Sequence, residues 1–513
     1  MENKTILLGH EGRMRIKAGI DKAANAVKPT LGAVGMSAMI EFPGLDPIEC
    51  DDGVTILKNL NFKDKYENLG LQKLRKAAIR TSQEGGDGTA TTTVLTQALV
   101  AEAFKEIAND SSKIREVRDR LGEGLSEVLK ELGKIKRDIT EDDIQKIAEI
   151  SSLDPEVSKL IAEVIKEVGI NGVVTVEKGS KIGYTSEVVK GAKFEKGLIS
   201  PFFINNPSTS STVLEDAYII LVDRRVSTNE QIIGILNSIG TGKDILWIAT
   251  DVDSVALASL AQNAMAKIGN IAAVQNPYSA SRARDFLFDI AALTGGTVIS
   301  EEMGMKLDTA TAVLCGRADK VIVTKDSTTI IGGRSTESLA LRIEDIKAQL
   351  DSTTSEYTKL MLEERLATLT GGIGVIRVGA YTDTEFNAKK YKFENAVNAT
   401  QAALQEGIVA GGGVALYHAA GNIKETMFKK SLRAPFNQMW KNAGLDDDFQ
   451  FLGSPDGQIG MNFKSKEWVN MFDAGIIDPF KVTRIALESA TAIAKDLISV
   501  ETVIVGEEVK DEK

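Results

Sequence analysis

The apolar positions of the chain change character along its length. From Arg13 to about Leu132 they recur at helical spacing, with Ile16, Ile20, Ala23, Ala24 and Val27 on one face and Val94, Leu95, Leu99, Ala103 and Ile107 repeating the pattern. A second helical block appears near the other end, where Val482, Ile485, Ala486, Ser489, Ala490, Ile493 and Leu497 precede the β-branched run Val500 to Val505. The middle differs. Short runs at Ala217 to Val222, Asp244 to Ala249, Ile271 to Val274 and Lys320 to Val323 predict strands, and the helical segments between them predict an α/β domain with helices covering a sheet. A helical pair follows, with Leu339, Ile343, Ile346 and Leu350 as one stripe and Tyr357, Met361, Leu362, Leu366 and Leu369 as the next, joined by a turn at Asp351 to Ser355. The chain therefore reads as α+β and multidomain.

Composition sharpens this picture. At 513 residues, two to four domains are expected, and 43% apolar residues with only 5% aromatics point to a helix-rich protein packed with Ala, Val, Ile and Leu. The formal charge of -11 is spread along the chain without a long basic tract, which argues against nucleic acid as the main partner. Cys50 and Cys315 suggest neither a disulfide framework nor a zinc site, and His10 and His418 make no metal cluster. Met1 to Gly9 lacks the apolar core of a secretory signal, and no window approaches the roughly 18 apolar residues of a membrane span. A reducing cytoplasm is the expected location.

The candidate chemistry sits in glycine-rich segments. Gly85-Gly86-Asp87-Gly88-Thr89-Ala90-Thr91-Thr92-Thr93 places flexible backbone, one carboxylate and several hydroxyls directly before a helix. Such a segment can hold a polyphosphate against the positive helix end, with Asp87 giving a hard oxygen to Mg2+. It can equally be a turn followed by an ordinary N-cap. Thr30-Leu31-Gly32-Ala33-Val34-Gly35 can be a second phosphate loop or a helix C-cap, and Asp51-Asp52-Gly53 a third or a turn. Ala410-Gly411-Gly412-Gly413-Val414 permits close approach of a flat ligand or of another helix. The chain lacks G-x-x-x-x-G-K-[ST], a kinase signature set and a G-x-S-x-G elbow. Gly191 and Gly371-Gly372 bracket the central block as hinges or as element ends.

In order along the chain, these segments resemble the group I chaperonins, the GroEL type, over roughly Lys4 to Val505. The resemblance rests on Thr30-Leu31-Gly32, Asp52-Gly53-Val54, Gly86-Asp87-Gly88-Thr89, Leu198-Ile-Ser-Pro-Phe-Phe-Ile204, Leu293-Thr-Gly-Gly-Thr-Val-Ile-Ser-Glu-Glu302, Glu406-Gly-Ile-Val-Ala-Gly-Gly-Gly-Val414 and Asp478-Pro-Phe-Lys-Val-Thr-Arg484. It implies a mostly helical equatorial domain from residues 1–132 and 406–513, a small α/β intermediate hinge domain from 133–189 and 374–405, and an α/β apical domain over 190–373. It further implies an ATP-dependent homo-oligomer of seven-subunit rings that encloses non-native proteins under a GroES-type co-chaperonin, with Mg2+, and K+ as a further candidate ion. Thr30, Leu31, Gly32, Asp87, Gly88, Thr89 and Thr91 would surround the phosphates, with Asp87 on the metal and Asp52 near the terminal phosphate. Gly412, Asn462 and Asp478 would contact the nucleoside.

Departures from the family pattern carry consequences of their own. Phe393-Glu394-Asn395-Ala396 puts Asn395 where the family has a second catalytic Asp. An amide positions water but is no effective general base, so hydrolysis should suffer more than binding. Glu394 is a poor substitute, because one helical step turns it about 100 degrees away. Ala33 and Val34 replace Pro-Lys, Asp51 replaces a Lys, Ala90 replaces a Thr, and Phe463 takes a usually Ala position beside the base. Asp51 adds negative charge near phosphate and should weaken binding unless it faces away. The resembling client-binding positions are Leu198, Ser200, Phe202, Phe203, Ile233, Leu236, Leu257, Ala261 and Gln262, the last where an apolar residue is common; the same residues can equally be core. Ala419 to Met461 follows the family poorly and the tail Glu507 to Lys513 lacks a Gly-Met repeat, so a double ring is not implied. The alternatives are a holdase or ring scaffold that binds ATP with little hydrolysis, and an unrelated phosphotransferase.

Overall fold

The helical periodicity of the outer thirds of the sequence becomes a bundle whose helices share one core. In the computed structural model, which describes residues 4–506 except 43–44, 108–109, 153, 170–171, 180–181, 208, 335–336, 354 and 446–455, the chain divides into two compact units. Met1–Ala162 and Asn387–Lys513 form the first, and Glu163–Phe386 the second. The chain passes between them within the helices Pro155–Val168 and Asp383–Glu406. Among the described residues, no helix is long and apolar enough to cross a membrane.

In the first unit, helices Gly9–Val27, Lys65–Gly85, Thr89–Ile107, Ile114–Ile135 and Phe480–Ile498 bury Ile20, Ala24, Leu71, Leu74, Leu95, Leu99, Leu121, Val128, Ala486 and Ala490 against one another. Ala-rich stripes let these helices approach closely. Where Gly9–Val27 crosses Lys65–Gly85 the backbones touch: a Cβ on Gly19 would lie 1.8 Å from the Glu67 carbonyl oxygen, and one on Gly70 2.0 Å from that of Ile16. Asp64 starts the second of these helices, its carboxylate accepting from the Tyr66 and Glu67 N–H groups at 2.9 and 3.1 Å. Strand Lys4–Leu8 pairs antiparallel with Thr502–Gly506, closing the unit with both ends of the described chain.

The helical reading of Arg13 to Leu132 needs one correction. Ala38–Phe42 and Leu45–Cys50 form an antiparallel ribbon with Ala38 opposite Cys50 and Ile40 opposite Ile48. Pro43, Gly44 and Pro47 oppose helix here, and the ribbon is too short for periodicity to register.

The second unit is built on a nine-stranded mixed sheet, ordered Val173–Lys178, Gly372–Val378, Tyr184–Phe194, Thr328–Gly333, Gly316–Val323, Thr212–Val226, Ile245–Val252 and Ile271–Gln275, with Val298–Ile299 also paired to Thr212–Val226. All four expected strand runs lie in it. Its parallel strands are apolar on both faces, as burial under helices on both sides demands. Alternate residues serve different cores: Leu246, Ile248, Ala272 and Val274 face one way, Trp247, Ala249, Ile271 and Ala273 the other. The expected helical pair appears as Glu337–Ser352 and Glu356–Thr370, with Thr354 of the joining turn outside the described residues. Asp289 fastens this pair to helix Ala280–Thr294 by accepting from Arg342 at 2.8 Å and Arg365 at 2.7 Å.

Gly191 and Gly372 sit inside paired strands, Gly191 opposite Ile331 and Gly372 opposite Lys190. Close packing explains Gly191, whose Cβ would fall 2.4 Å from the Ile330 carbonyl oxygen. Gly191 is thus held in the sheet, while Gly371 caps helix Glu356–Thr370 and Gly372 begins its strand, the element-end alternative; the sheet itself runs on across the expected boundaries at 189/190 and 373/374.

Replacing Gly19 or Gly70 by Ala forces the two touching helices apart. Each change is expected to destabilise the protein by about 1–3 kcal/mol or more, seen as a lower unfolding midpoint in calorimetry, whereas Gly133→Ala, where a Cβ meets nothing within 4 Å, leaves the midpoint unchanged or raises it.

Candidate functional site

Helix Lys65–Gly85 ends at a backbone conformation only glycine adopts readily. Gly86 has φ +82° and Gly88 φ +84°, and side chains at these positions would meet Asn398 Cβ at 2.1 Å and Val482 Cγ1 at 2.4 Å. Asp87 is held between them, accepting from the Gly88 N–H at 2.6 Å and from the Ser151 hydroxyl at 3.3 Å. Helix Thr89–Ile107 starts immediately afterwards, and its first-turn N–H groups have no intrahelical acceptor. The hydroxyl run divides in two. Thr92 and Thr93 turn inward, donating to the Gly88 and Thr89 carbonyls, while Thr89 and Thr91 line a cavity.

Segments from along the whole chain line that cavity, whose volume is about 550 Å³. The loop after the first helix brings Thr30, Leu31, Gly32 and Ala33 to its wall, fixed by the Asn442 amide donating to the carbonyls of Lys28 and Leu31, both at 2.9 Å. Asp51 and Asp52 contribute next; Asp52 also caps helix Gly53–Asn59 by accepting from Thr55 N–H at 2.7 Å, so the turn reading and the site reading both hold for it. Strand Ile408–Ala410 pairs with Ile477–Pro479, Val409 opposite Asp478, which sets Gly412 and Asp478 on the same wall. Hairpin Ile459–Asn462 and Glu467–Asn470 supplies Asn462 and Phe463. Helix Asp383–Glu406 supplies Asn395, while Glu394 pairs with Lys390 at 3.6 Å and is absent from the lining, as its rotation along the helix requires.

Every residue expected at a phosphate, metal or nucleoside position therefore lines one cavity. Its electrostatics are those of a site that attracts cations. Burial pushes the Asp87 carboxyl above the usual carboxylate range, its two hydrogen bonds oppose the shift, and Asp52 adds to it. Burial, with the charge of Asp87 behind it, pushes Asp478 up to about 7. Among the described residues no three His, Cys, Asp or Glu side chains form a metal cluster. A divalent cation here would complete its shell with oxygens from a ligand or water, the habit of Mg2+.

The sequence reading missed part of the lining. Lys146, Glu149, Ile150, Ser151 and Ser152 come from the end of helix Glu141–Ser152, and Pro435 and Met439 from helix Ala434–Asn442 inside the segment that follows the family poorly. Neither stretch carries a motif; both are recruited by packing.

The expected client-binding positions do not share one environment. Phe202 and Ile233 are 62% and 53% exposed and Gln262 is exposed, whereas Leu198, Leu236 and Leu257 are half-buried. Phe203 and Ala261, at 2% and 5%, belong to the core, as does Ser200, whose hydroxyl accepts from Phe202 N–H. The apolar stripe of helix Ser254–Met265 faces inward through Ala256, Leu260 and Ala261, leaving Val255 and Met265 as its exposed apolar residues.

The raised pKa of Asp478 predicts a pH-dependent gain from neutralising it. Its charge opposes folding, so the penalty is absent below the ordinary value of 3.8, grows with pH and is complete above about 7. Asp478→Asn should raise the unfolding midpoint of the ligand-free protein at pH 8, by a margin that shrinks as pH falls toward 4, measured by thermal unfolding across that range.

The TCP-1/cpn60 chaperonin family matches residues 23–508. Among solved structures, the chaperonin gp146 from the bacteriophage EL 2 (Pseudomonas aeruginosa), crystallised in the presence of ATP-BeFx, superposes with a TM-score of 0.75 at 21% identity, over 98% of this chain and 99% of that one. A second crystal form of the same phage chaperonin gives a TM-score of 0.67 with the same identity and coverage. With its sequence matched over nearly its whole length, this chain belongs to the TCP-1/cpn60 chaperonin family.

Proposed function

We propose that this chaperonin binds ATP with Mg2+ in the first unit and uses nucleotide-dependent conformational change to capture and release non-native proteins. The observation that carries this reading is the convergence of Asp52, Asp87, the Thr89 helix start, Asn395, Gly412 and Asp478 on one cavity from segments spread over the whole chain. The phage relative was crystallised with ATP-BeFx, which supports carrying nucleotide binding over. The residues fit the metal: Asp87 offers a carboxylate fixed by hydrogen bonds from the Gly88 N–H and the Ser151 hydroxyl on the cavity wall, and burial penalises its charge, which a cation would offset. When bound, Mg2+ neutralises phosphate charge. Asp87 would hold it, the first-turn N–H groups of Thr89 to Thr91 would bind phosphate, and Asp52 would stand beside the terminal phosphate.

Asn395 sets the rate in this reading. Its amide lies on the cavity wall and can orient a water by hydrogen bonding, but it cannot accept the water's proton. Hydrolysis is therefore slow, and the same observation favours the second reading, an ATP-binding holdase or scaffold with negligible turnover. Client capture falls to exposed apolar side chains of the second unit, Phe202, Ile233, Val255 and Met265, through non-directional hydrophobic contact. A homo-oligomeric seven-subunit ring, a GroES-type co-chaperonin lid and the three-domain division complete the proposal.

Asp87→Ala should abolish Mg2+-dependent ATP binding in calorimetry while the protein stays folded; unchanged affinity would remove the metal assignment. Asn395→Asp should raise single-turnover hydrolysis at saturating ATP by about 10²-fold or more, the ordinary worth of a general base, and an unchanged rate would mean that Asn395 does not limit turnover. Rings in electron microscopy with tight ATP binding and no phosphate release would select the holdase.

A further inference from the structure

A second cavity, of about 250 Å³, opens where helices Gly9–Val27, Thr89–Ile107 and Ala434–Asn442 meet, and none of its lining residues lines the first. Helical spacing keeps the two apart. On Ala434–Asn442 the pair Ala434 and Gln438 faces the small cavity, while the next pair, Pro435 and Met439, faces the large one. On Thr89–Ile107 Val94, Gln97, Ala98 and Ala101 form one stripe, and the short alanine side chains leave the space open. Its size, just below the roughly 300 Å³ at which sites for drug-sized ligands begin, suits a small metabolite.

The polar groups of the wall are unequally satisfied. The Asp21 carboxylate accepts from the Lys17 ammonium at 2.5 Å and from Gln97 Nε2 at 2.9 Å. A carboxylate only accepts, so Gln97 must turn its NH2 toward Asp21 and its carbonyl oxygen away. That oxygen is buried and has no hydrogen-bond partner, a costly state for an acceptor. Gln438 donates through Nε2 to Asn442 Oδ1 at 2.8 Å, which leaves its own carbonyl oxygen as a further acceptor. Lys28, at the end of helix Gly9–Val27, is half-buried on the same wall, and among the described residues its ammonium makes no hydrogen bond or close ion pair. Burial pulls its pKa below the ordinary lysine range; Asp21 opposes the shift and Lys441 adds to it.

An uncompensated ammonium and an uncompensated acceptor beside a carboxylate select the ligand by charge. A bare anion would meet Asp21, and a bare cation would meet Lys28. A molecule carrying both charges on a short apolar body answers each group and covers Val94, Ala98, Ala101 and Ala434. We propose that this cavity is a binding site for a small free α-amino acid with an aliphatic side chain, its carboxylate paired with Lys28 and its ammonium donating to the Gln97 carbonyl oxygen beside Asp21. None of these groups belongs to the proposed nucleotide site, so either site can stand without the other.

The test is calorimetry of the full chain with L-valine and with its two half-molecules, 3-methylbutanoate, which lacks the ammonium, and 2-methylpropylamine, which lacks the carboxylate. The expected result is saturable valine binding, with each half-molecule weaker by about tenfold or more, the worth of one charge-assisted hydrogen bond. Lys28→Met keeps the apolar stem and should weaken valine by about tenfold or more while leaving 2-methylpropylamine unchanged or tighter. Gln97→Leu should weaken valine and spare 3-methylbutanoate. Valine should also raise the unfolding midpoint of the unaltered chain and not that of Lys28→Met. No saturable binding of valine up to about 10 mM, half-molecules bound as tightly as valine, or valine affinity unchanged in Lys28→Met each overturns the proposal.

Discussion

The first unit depends on the clamp around Gly86-Asp87-Gly88. Asn398 of helix Asp383–Glu406 lies against the first glycine, and Val482 of helix Phe480–Ile498 against the second. Neither position tolerates a Cβ, so the turn between two N-terminal helices is fixed by two elements from the other end of the sequence. Asp87 consequently points where it does because four helices agree on the path of three residues. The cost is a carboxylate taken out of water, and a second, Asp478, on the wall of the same cavity. Strain of this kind is tolerable where a ligand relieves it.

Much of this was legible in the residues. Long amphipathic helices and apolar parallel strands declare themselves by period and composition, and their cores are the stripes the sequence shows. The glycine-rich segments were ambiguous singly and became specific together, through their order along the chain and its resemblance to the chaperonins. Short or recruited features were not legible. The ribbon at Ala38–Phe42 and Leu45–Cys50 is brief, and Met439 and Ser151 carry no local signature because their places are set by packing and by a hydrogen bond to Asp87. Phe203 and Ala261 show the converse: apolar residues in a recognised motif can face the core, and only the helix's orientation decides which.

The division of the threonine run shows how structure sorts chemically identical residues. Thr92 and Thr93 donate to backbone carbonyls one turn back and are buried, so they shape the helix start rather than meet a ligand. Helical spacing similarly separates Asn395 on the wall from Glu394 beside Lys390. A carboxylate adjacent in sequence is thus no replacement for the one that is lacking.

The pairing of Lys4–Leu8 with Thr502–Gly506 bears on how the chain is born. The second unit is one uninterrupted stretch and can collapse while the ribosome is still working. The first unit cannot: strand Lys4–Leu8, and the helices that wait for Phe480–Ile498, stay unpaired until residues 480–506 emerge. During that interval their apolar faces are open to solvent and to other chains. For the time of its own synthesis, this member of a chaperonin family is itself a chain whose apolar faces want cover.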